Sequence, residues 1–192
     1  MMSRNLIMSA DDEKRAKDIS RLLSAVLRHK PEILGIELDK NGWANITELL
    51  EKLYYVKEID LCYTELCLII DTNDKNRFII SDDEERIRAN QGHSVPVDLE
   101  LKRQKPPSFL YHGTVIKAAN KIMKSGMKKM NRHAVHLSVD VETATQVGAR
   151  RGVPILLKIF SGAMHVDGFK FYKSANGVWL TDEVPPKYIK IL

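Results

Sequence analysis

The sequence predicts an α+β fold in two lobes, and three observations carry that expectation. Apolar residues at helical spacing fill the first part of the chain, which then closes in a hairpin pattern. The second half reads as many short strands with two helices among them. Between them, residues 95–107 hold three prolines and mixed charge, the composition of a linker. With 44% hydrophobic and 29% charged residues over 192 positions, the chain suits one large globular domain or two small ones. A net charge of +5 favours an anionic partner. The two cysteines, Cys62 and Cys67, fit neither a zinc ribbon nor a redox C-x-x-C, so they read as reduced helix thiols. The N-terminus lacks the apolar core of a signal peptide and no run approaches a membrane span, so a cytoplasmic protein is expected.

Taken in order, residues 1–8 read as a loose tail. Ser9-x-x-Asp12 has the form of a capping box that opens a helix. Ile19, Leu22, Leu23, Val26 and Leu27 give that helix one apolar face, and it delivers Arg28-His29-Lys30 before Pro31 stops it. Gly35 to Trp43 reads as a strand and a turn, with Asn41-Gly42 as the turn. Helices are expected over Asn45–Leu53 and Ile59–Ile70. Arg77–Ile80 and Arg86–Ala89 flank the acidic loop Ser81–Glu85 as a hairpin. Three helices and a hairpin form a winged-helix pattern. Beyond the linker, a strand Phe109–Tyr111 leads to His112, and a helix from Val115 to Lys124 is closed by Ser125-Gly126. Phe169–Lys173, Gly177–Leu180 and Tyr188–Leu192 complete the strands.

The stretch Arg132–Pro154 is the most informative. Ala134 to Leu137 is a short strand interrupted by His136, and Ser138 and Asp140 are helix N-caps. Gly148 is expected to break the helix, delivering Arg150-Arg151, and Val153–Phe160 is a nearly continuous apolar strand. A histidine facing a guanidinium pair across a short helix can hold an anion. Metal motifs, G-x-S-x-G, the Walker loop and G-x-G-x-x-G are all absent from the sequence. No metal is therefore expected, nor a hydrolase triad or a Rossmann site.

Six ordered segments, S-R-L-L-S-A-V-L-R-H-K-P, L-D-K-N-G-W, I-R-A-N-Q-G-H-S, Y-H-G-T, R-H-A-V-H-L-S and G-A-R-R-G, resemble the RNA 2′-phosphotransferase family. They span about residues 20–180. The resemblance implies a winged-helix RNA-binding lobe over 1–94, a linker over 95–107, and an NAD-binding lobe of ADP-ribosyltransferase-like fold over 108–192. It implies an enzyme that consumes NAD⁺ while removing an internal RNA 2′-phosphate. The family's catalytic quartet falls on Arg28, His29, Arg88 and Arg150, the last beside Arg151. Its NAD site falls on His112, Gly113, Thr114, His136 and Ser138. Asn90, Gln91 and His93 border the junction of substrate and cofactor, and Arg132 and His133 are phosphate contacts. Glu183, in T-D-E-V, is similar to the glutamate of protein ADP-ribosyltransferases but reads as surface, because this chemistry needs no acid there.

The residue types suit phosphoryl transfer, in which charge neutralisation and positioning dominate. Guanidinium forks bind phosphate oxygens bidentately and stay charged. His29 serves as acid or base in the transfer, or binds phosphate; the sequence leaves both open. Two other readings stand beside this one. An ADP-ribosyltransferase acting on nucleic-acid ends or protein would not need Arg28, His29 and Arg88. A winged-helix binding module would leave His112, His136 and Arg150 without a task. The protein is expected to act as a monomer.

Overall fold

The hydroxyl of Ser9 accepts from the Asp12 N–H at 3.1 Å, and the Asp12 carboxylate accepts from the Ser9 N–H at 3.2 Å. This capping box, worth about 1 kcal/mol, opens helix α1, Ala10–Val26, as the sequence predicts. The computed structural model describes residues 9–73, 75–130 and 132–192. The tail expected at 1–8 lies outside the described residues. The chain forms two units, Met1–Leu99 and Glu100–Leu192. Each is mixed α/β, with small antiparallel sheets.

In the first unit α1 is followed by a 3-10 turn at Pro31–Ile33, strand β1 at Ala44–Asn45, and helices α2 at Ile46–Lys57 and α3 at Tyr63–Asp71. Strands β2, Phe78–Ile80, and β3, Arg86–Ala89, complete a sheet in the order β1-β3-β2. Asn45 caps α2, its side-chain oxygen accepting from the Glu48 N–H at 2.9 Å. Glu65 closes a capping box on Cys62 at the start of α3. The core gathers Leu23 of α1 and its C-cap Leu27, Leu49 and Leu53 of α2, Leu66 of α3 and Ile87 of β3. Each such buried leucine contributes about 2 kcal/mol.

The second unit begins with β4, Leu110–Val115, helix α4, Ile116–Ser125, and the short strand β5, Met127–Lys128. Strand β6, Val135–Leu137, helix α5, Val141–Ala149, strand β7, Pro154–Ile159, and helix α6, Ser161–Val166, follow. Strands β8, Tyr172–Lys173, β9, Trp179–Thr181, and β10, Glu183–Val184, precede a 3-10 turn at Pro186–Tyr188 and β11, Ile189–Ile191. The sheets run β11-β7-β4, β6-β9-β8 and β10-β5. A bridge between Tyr111 and Ser138 ties β4 to the end of β6.

Several expectations are corrected. No strand forms over Gly35–Trp43; the carboxylate of Asp39 instead accepts from the N–H groups of Asn41 and Trp43 at 2.8 and 2.9 Å, which folds the segment as a turn. Helix α3 starts at Tyr63 rather than Ile59, because Cys62 and Glu65 make the cap. His112 does not end a strand but lies inside β4, which runs on to Val115 by pairing with β7. Gly148 does not break α5; it is buried within it, and the helix ends at Ala149. Among the described residues the second unit has three α-helices rather than two, since Ser161–Val166 coils as α6. Among the described residues no helix is long and apolar enough to cross a membrane.

Candidate active site

In the first unit the candidate residues come from the turn after α1 and from β3 with its exit. Leu27 is the C-cap of α1, so Arg28 and His29 leave the helix in a turn held by the His29 N–H donating to Ala25 O at 3.0 Å. The carbonyl of Arg28 accepts from the N–H groups of Ser94 and Val95 at 2.8 and 3.3 Å. Nδ1 of His29 hydrogen bonds with the Ser94 hydroxyl at 2.9 Å. The guanidinium of Arg28 reaches Arg77 O at 3.5 Å, and the same carbonyl accepts from the Asn90 N–H at 2.8 Å. Gly92 has φ +89°, and its missing Cβ would stand 3.8 Å from the Arg28 side chain. The segment after β3 is thus folded back along Arg28 and His29. Arg28 is half-buried and His29 exposed.

Arg88 projects from β3 over the Trp43 ring, with its guanidinium carbon 4.4 Å from the ring centroid. Its Nη1 donates to Asn41 O at 3.3 Å. The Asp39-anchored turn therefore offers Arg88 both a π face and a carbonyl, two contacts that offset the rotamer entropy lost in holding a long cationic side chain. Arg86 lies over the same ring at 5.5 Å. Asn90 is buried, its amide nitrogen donating to Asn76 O at 2.6 Å and Phe78 O at 3.3 Å. His93 is buried as well, with Nε2 3.3 Å from where a Cβ on Gly42 would stand. Gln91 is half-buried.

In the second unit β4 and α5 meet at two glycines. A Cβ on Gly113 would stand 1.7 Å from Ala144 O and 2.9 Å from Gly148 N. A Cβ on Gly148 would stand 3.0 Å from the Gly113 carbonyl carbon. Only backbone fits at this crossing, so α5 lies directly on the strand that carries His112 and Thr114. Asp140 caps α5, accepting from the Thr143 N–H at 2.6 Å. Ser138 exchanges both backbone hydrogen bonds with Tyr111, at 2.8 and 2.9 Å.

Nδ1 of His112 donates to His136 O at 3.1 Å. That bond fixes the tautomer and leaves Nε2 of the neutral ring as an acceptor. Burial pushes the His112 pKa below its ordinary value; the His136 carbonyl opposes the shift, and the charges of Arg132 and Arg151 add to it. Arg132 is itself held below its usual value, by burial first and by Arg151 second. His112, Arg132 and Arg151 therefore share one electropositive neighbourhood. Arg150 is the exposed C-cap of α5. His136 and His133 are half-buried. Glu183 is exposed on β10 opposite Lys128, a surface position as the sequence suggests.

Of the candidates, the structure groups Arg28 and His29 with Ser94, Arg88 with Trp43 and Asn41, and His112 with His136, Arg132 and Arg151. Sequence reasoning gave no role to Trp43 or Ser94, while Arg151 entered it as half of the guanidinium pair with Arg150, and it is Arg151 whose charge reaches His112. Trp43 and Ser94 do lie inside the L-D-K-N-G-W and I-R-A-N-Q-G-H-S segments, and that placement was the available signal.

The family described as RNA 2'-phosphotransferase, Tpt1 / KptA family has a model that matches residues 14–183. A protein of Flavobacterium johnsoniae is 54% identical over 180 residues, covering 93% of this chain and 98% of its own length. One from Burkholderia pseudomallei is 52% identical over 89% of this chain and 92% of its own. A third, from Fusobacterium nucleatum, is 50% identical over 90% and 96%. All three carry the name "Probable RNA 2'-phosphotransferase".

Proposed function

The chain belongs to the RNA 2′-phosphotransferase family, and from that membership we propose that it removes an internal 2′-phosphate from RNA by transferring it to NAD⁺. The observation that carries the reading is the extent of the match: residues 14–183 take in every candidate residue from Arg28 to Arg150. We read the first unit as the winged-helix lobe that receives the RNA. The second is read as an ADP-ribosyltransferase-like lobe that receives NAD⁺ through His112, Gly113, Thr114, His136 and Ser138. NAD⁺ is consumed, so it is a co-substrate. The neutral His112 ring, with Nε2 as acceptor, fits a ribose hydroxyl, and the bare backbone at Gly113 lets α5 pack directly on the strand that carries it.

In this reading the RNA 2′-phosphate is already an anion and needs no base. It attacks the anomeric carbon of the nicotinamide ribose, and nicotinamide leaves neutral, so no acid is needed. The product is an RNA-2′-phospho-ADP-ribose intermediate. The ribose 2″-hydroxyl then attacks phosphorus, and the bond to the RNA 2′-oxygen breaks. The proton of the attacking hydroxyl ends on that departing oxygen, giving 2′-OH RNA and ADP-ribose 1″,2″-cyclic phosphate. Arg28, Arg88 and Arg150 neutralise the transferring group, and His29 moves the proton or binds phosphate. Asn90, Gln91, His93, Arg132 and His133 border the substrates. No divalent ion is needed, because guanidiniums supply the charge, and activity should survive dialysis against EDTA. The protein works as a monomer in the cytoplasm.

Mass spectrometry of products from NAD⁺ and a short RNA bearing one internal 2′-phosphate tests the proposal. Nicotinamide, the cyclic phosphate and dephosphorylated RNA should appear together. Inorganic phosphate without nicotinamide would overturn it. An ADP-ribosylated RNA that wild-type enzyme never resolves would favour an ADP-ribosyltransferase instead.

A further inference from the structure

The charge of the chain is divided unequally. Residues 1–99 hold 14 Lys and Arg against 19 Asp and Glu, a net of −5, and residues 100–192 hold 16 against 6, a net of +10. The unit read as the RNA lobe is therefore the acidic one. Within the basic unit, Lys117, Lys121 and Lys124 recur along α4 at intervals of four and three, which places them on one helix face. All three are exposed, as are Lys128 and Lys129 just beyond the helix. Helix α4 contains no acidic residue, and none of its lysines forms an ion pair among the described residues. A solvated helix face ordinarily mixes both signs. Helix α1 does so, with Lys17 paired to Glu13 at 3.4 Å and Arg21 to Asp18 at 2.9 Å.

We propose that the Lys117-Lys121-Lys124 face of α4 binds the phosphate backbone of the RNA strand that continues beyond the 2′-phosphorylated nucleotide. Three observations point to a nucleic-acid strand. The face is about 10 Å long, the axial length of roughly three phosphates on one strand. It begins two residues past the end of β4, the strand that carries His112 and Thr114, so along the chain the lysines follow directly on the candidate site. A membrane-surface helix would present a row of apolar side chains beside its cations; on α4 Ile116 is exposed, but Ala119, Ile122 and Met123 pack into the core. The inference rests on the RNA reading above and assigns the part of that contact which carries no sequence information.

The test compares wild type with Lys117→Glu/Lys121→Glu/Lys124→Glu and with Lys14→Glu/Lys17→Glu/Arg21→Glu, an equal charge change on α1. Binding of a 20-nucleotide RNA with one internal 2′-phosphate is measured against salt. Turnover is measured on that RNA and on a 2′-phosphorylated dinucleotide. Reversal on α4 should weaken binding of the long RNA on the order of 100-fold at 0.1 M salt and lower the log–log salt slope by about 2 to 3. The same variant should raise KM for the long RNA without changing kcat, while dinucleotide turnover stays at the wild-type level and shows that the variant is folded. An equal loss from the α1 variant, or an unchanged salt slope, would overturn the proposal. So would retention on phosphatidylserine vesicles with no lysine-dependent RNA binding, which would assign the face to a membrane. If wild type turns over neither RNA yet binds the long one through these lysines, the activity reading falls and the surface stands.

Discussion

Arg88 in the first unit and Gly113 in the second are both held in place, by opposite means. Arg88 is a long, flexible cation fixed by what surrounds it: a tryptophan face at 4.4 Å and a turn carbonyl at 3.3 Å. Gly113 has no side chain to fix, and its position is set by backbone of α5 lying where a Cβ would be. The first unit positions chemistry through side-chain partners, each replaceable at the price of one contact. The second positions it through main-chain packing, which tolerates no added atom. Mutations in the first unit should therefore divide function finely, and the key mutation in the second should remove the fold.

Gly113→Ala carries the largest expected effect. A methyl group 1.7 Å from Ala144 O forces α5 off β4, and the loss should be about 3 kcal/mol or more. Thermal unfolding followed by circular dichroism checks it; a melting temperature within a degree of wild type would break the contrast between the units. Next come Arg150→Ala and His29→Ala, one from each unit. Loss of an electrostatic stabiliser should slow the second chemical step on the order of 10²-fold. The RNA-phospho-ADP-ribose intermediate should then build up as a slower gel band. If both steps slow together, these residues mainly bind the 2′-phosphate, and the division of roles is wrong.

Trp43→Ala should lower kcat by about 2- to 30-fold, the worth of one cation–π contact. Trp43→Phe, which keeps a π face, should restore most of it. Failure of Phe to rescue would mean that the indole acts through something other than Arg88. The smallest effect concerns His112. Its folded pKa lies below the ordinary 6.5, chiefly through burial, so the folded protein resists protonating it. Its contribution to stability is therefore complete above about pH 6.5 and is lost as pH falls through that value toward the folded pKa. Chemical denaturation across pH 5 to 8 should show this slope in wild type and a shallower one in His112→Gln.

Local signals in the sequence were strong where one element decides its own shape. The Ser9–Asp12 capping box and the hairpin around Ser81–Glu85 need only neighbours in sequence. Pairs such as β5 with β10 are two residues long, too short to show any periodicity. Helix α6 has no side-chain cap to announce it. Gly148 looked like a helix breaker because glycine is a poor helix former; its reason is a strand that crosses it 35 residues earlier in the chain. The Arg88–Trp43 stack was hidden for the same cause, since neither residue alone implies the other. Motif segments marked where the candidate site lies, while the partners that hold it, Trp43, Asn41 and Ser94, came from tertiary structure.

His29 meets its hydroxyl partner 65 positions further along the chain, which has a consequence in time. At roughly 5–20 residues per second, a ribosome needs about 3–13 s after making His29 to make Ser94. During that interval α1 can coil and its last turn can close on Ala25, because those bonds are local, yet the Arg28 carbonyl and the His29 ring still lack Ser94 and Val95. Closing so long a loop also costs entropy that only the finished hairpin and core repay. The nascent chain thus carries its cations exposed and unset until the first unit is nearly complete.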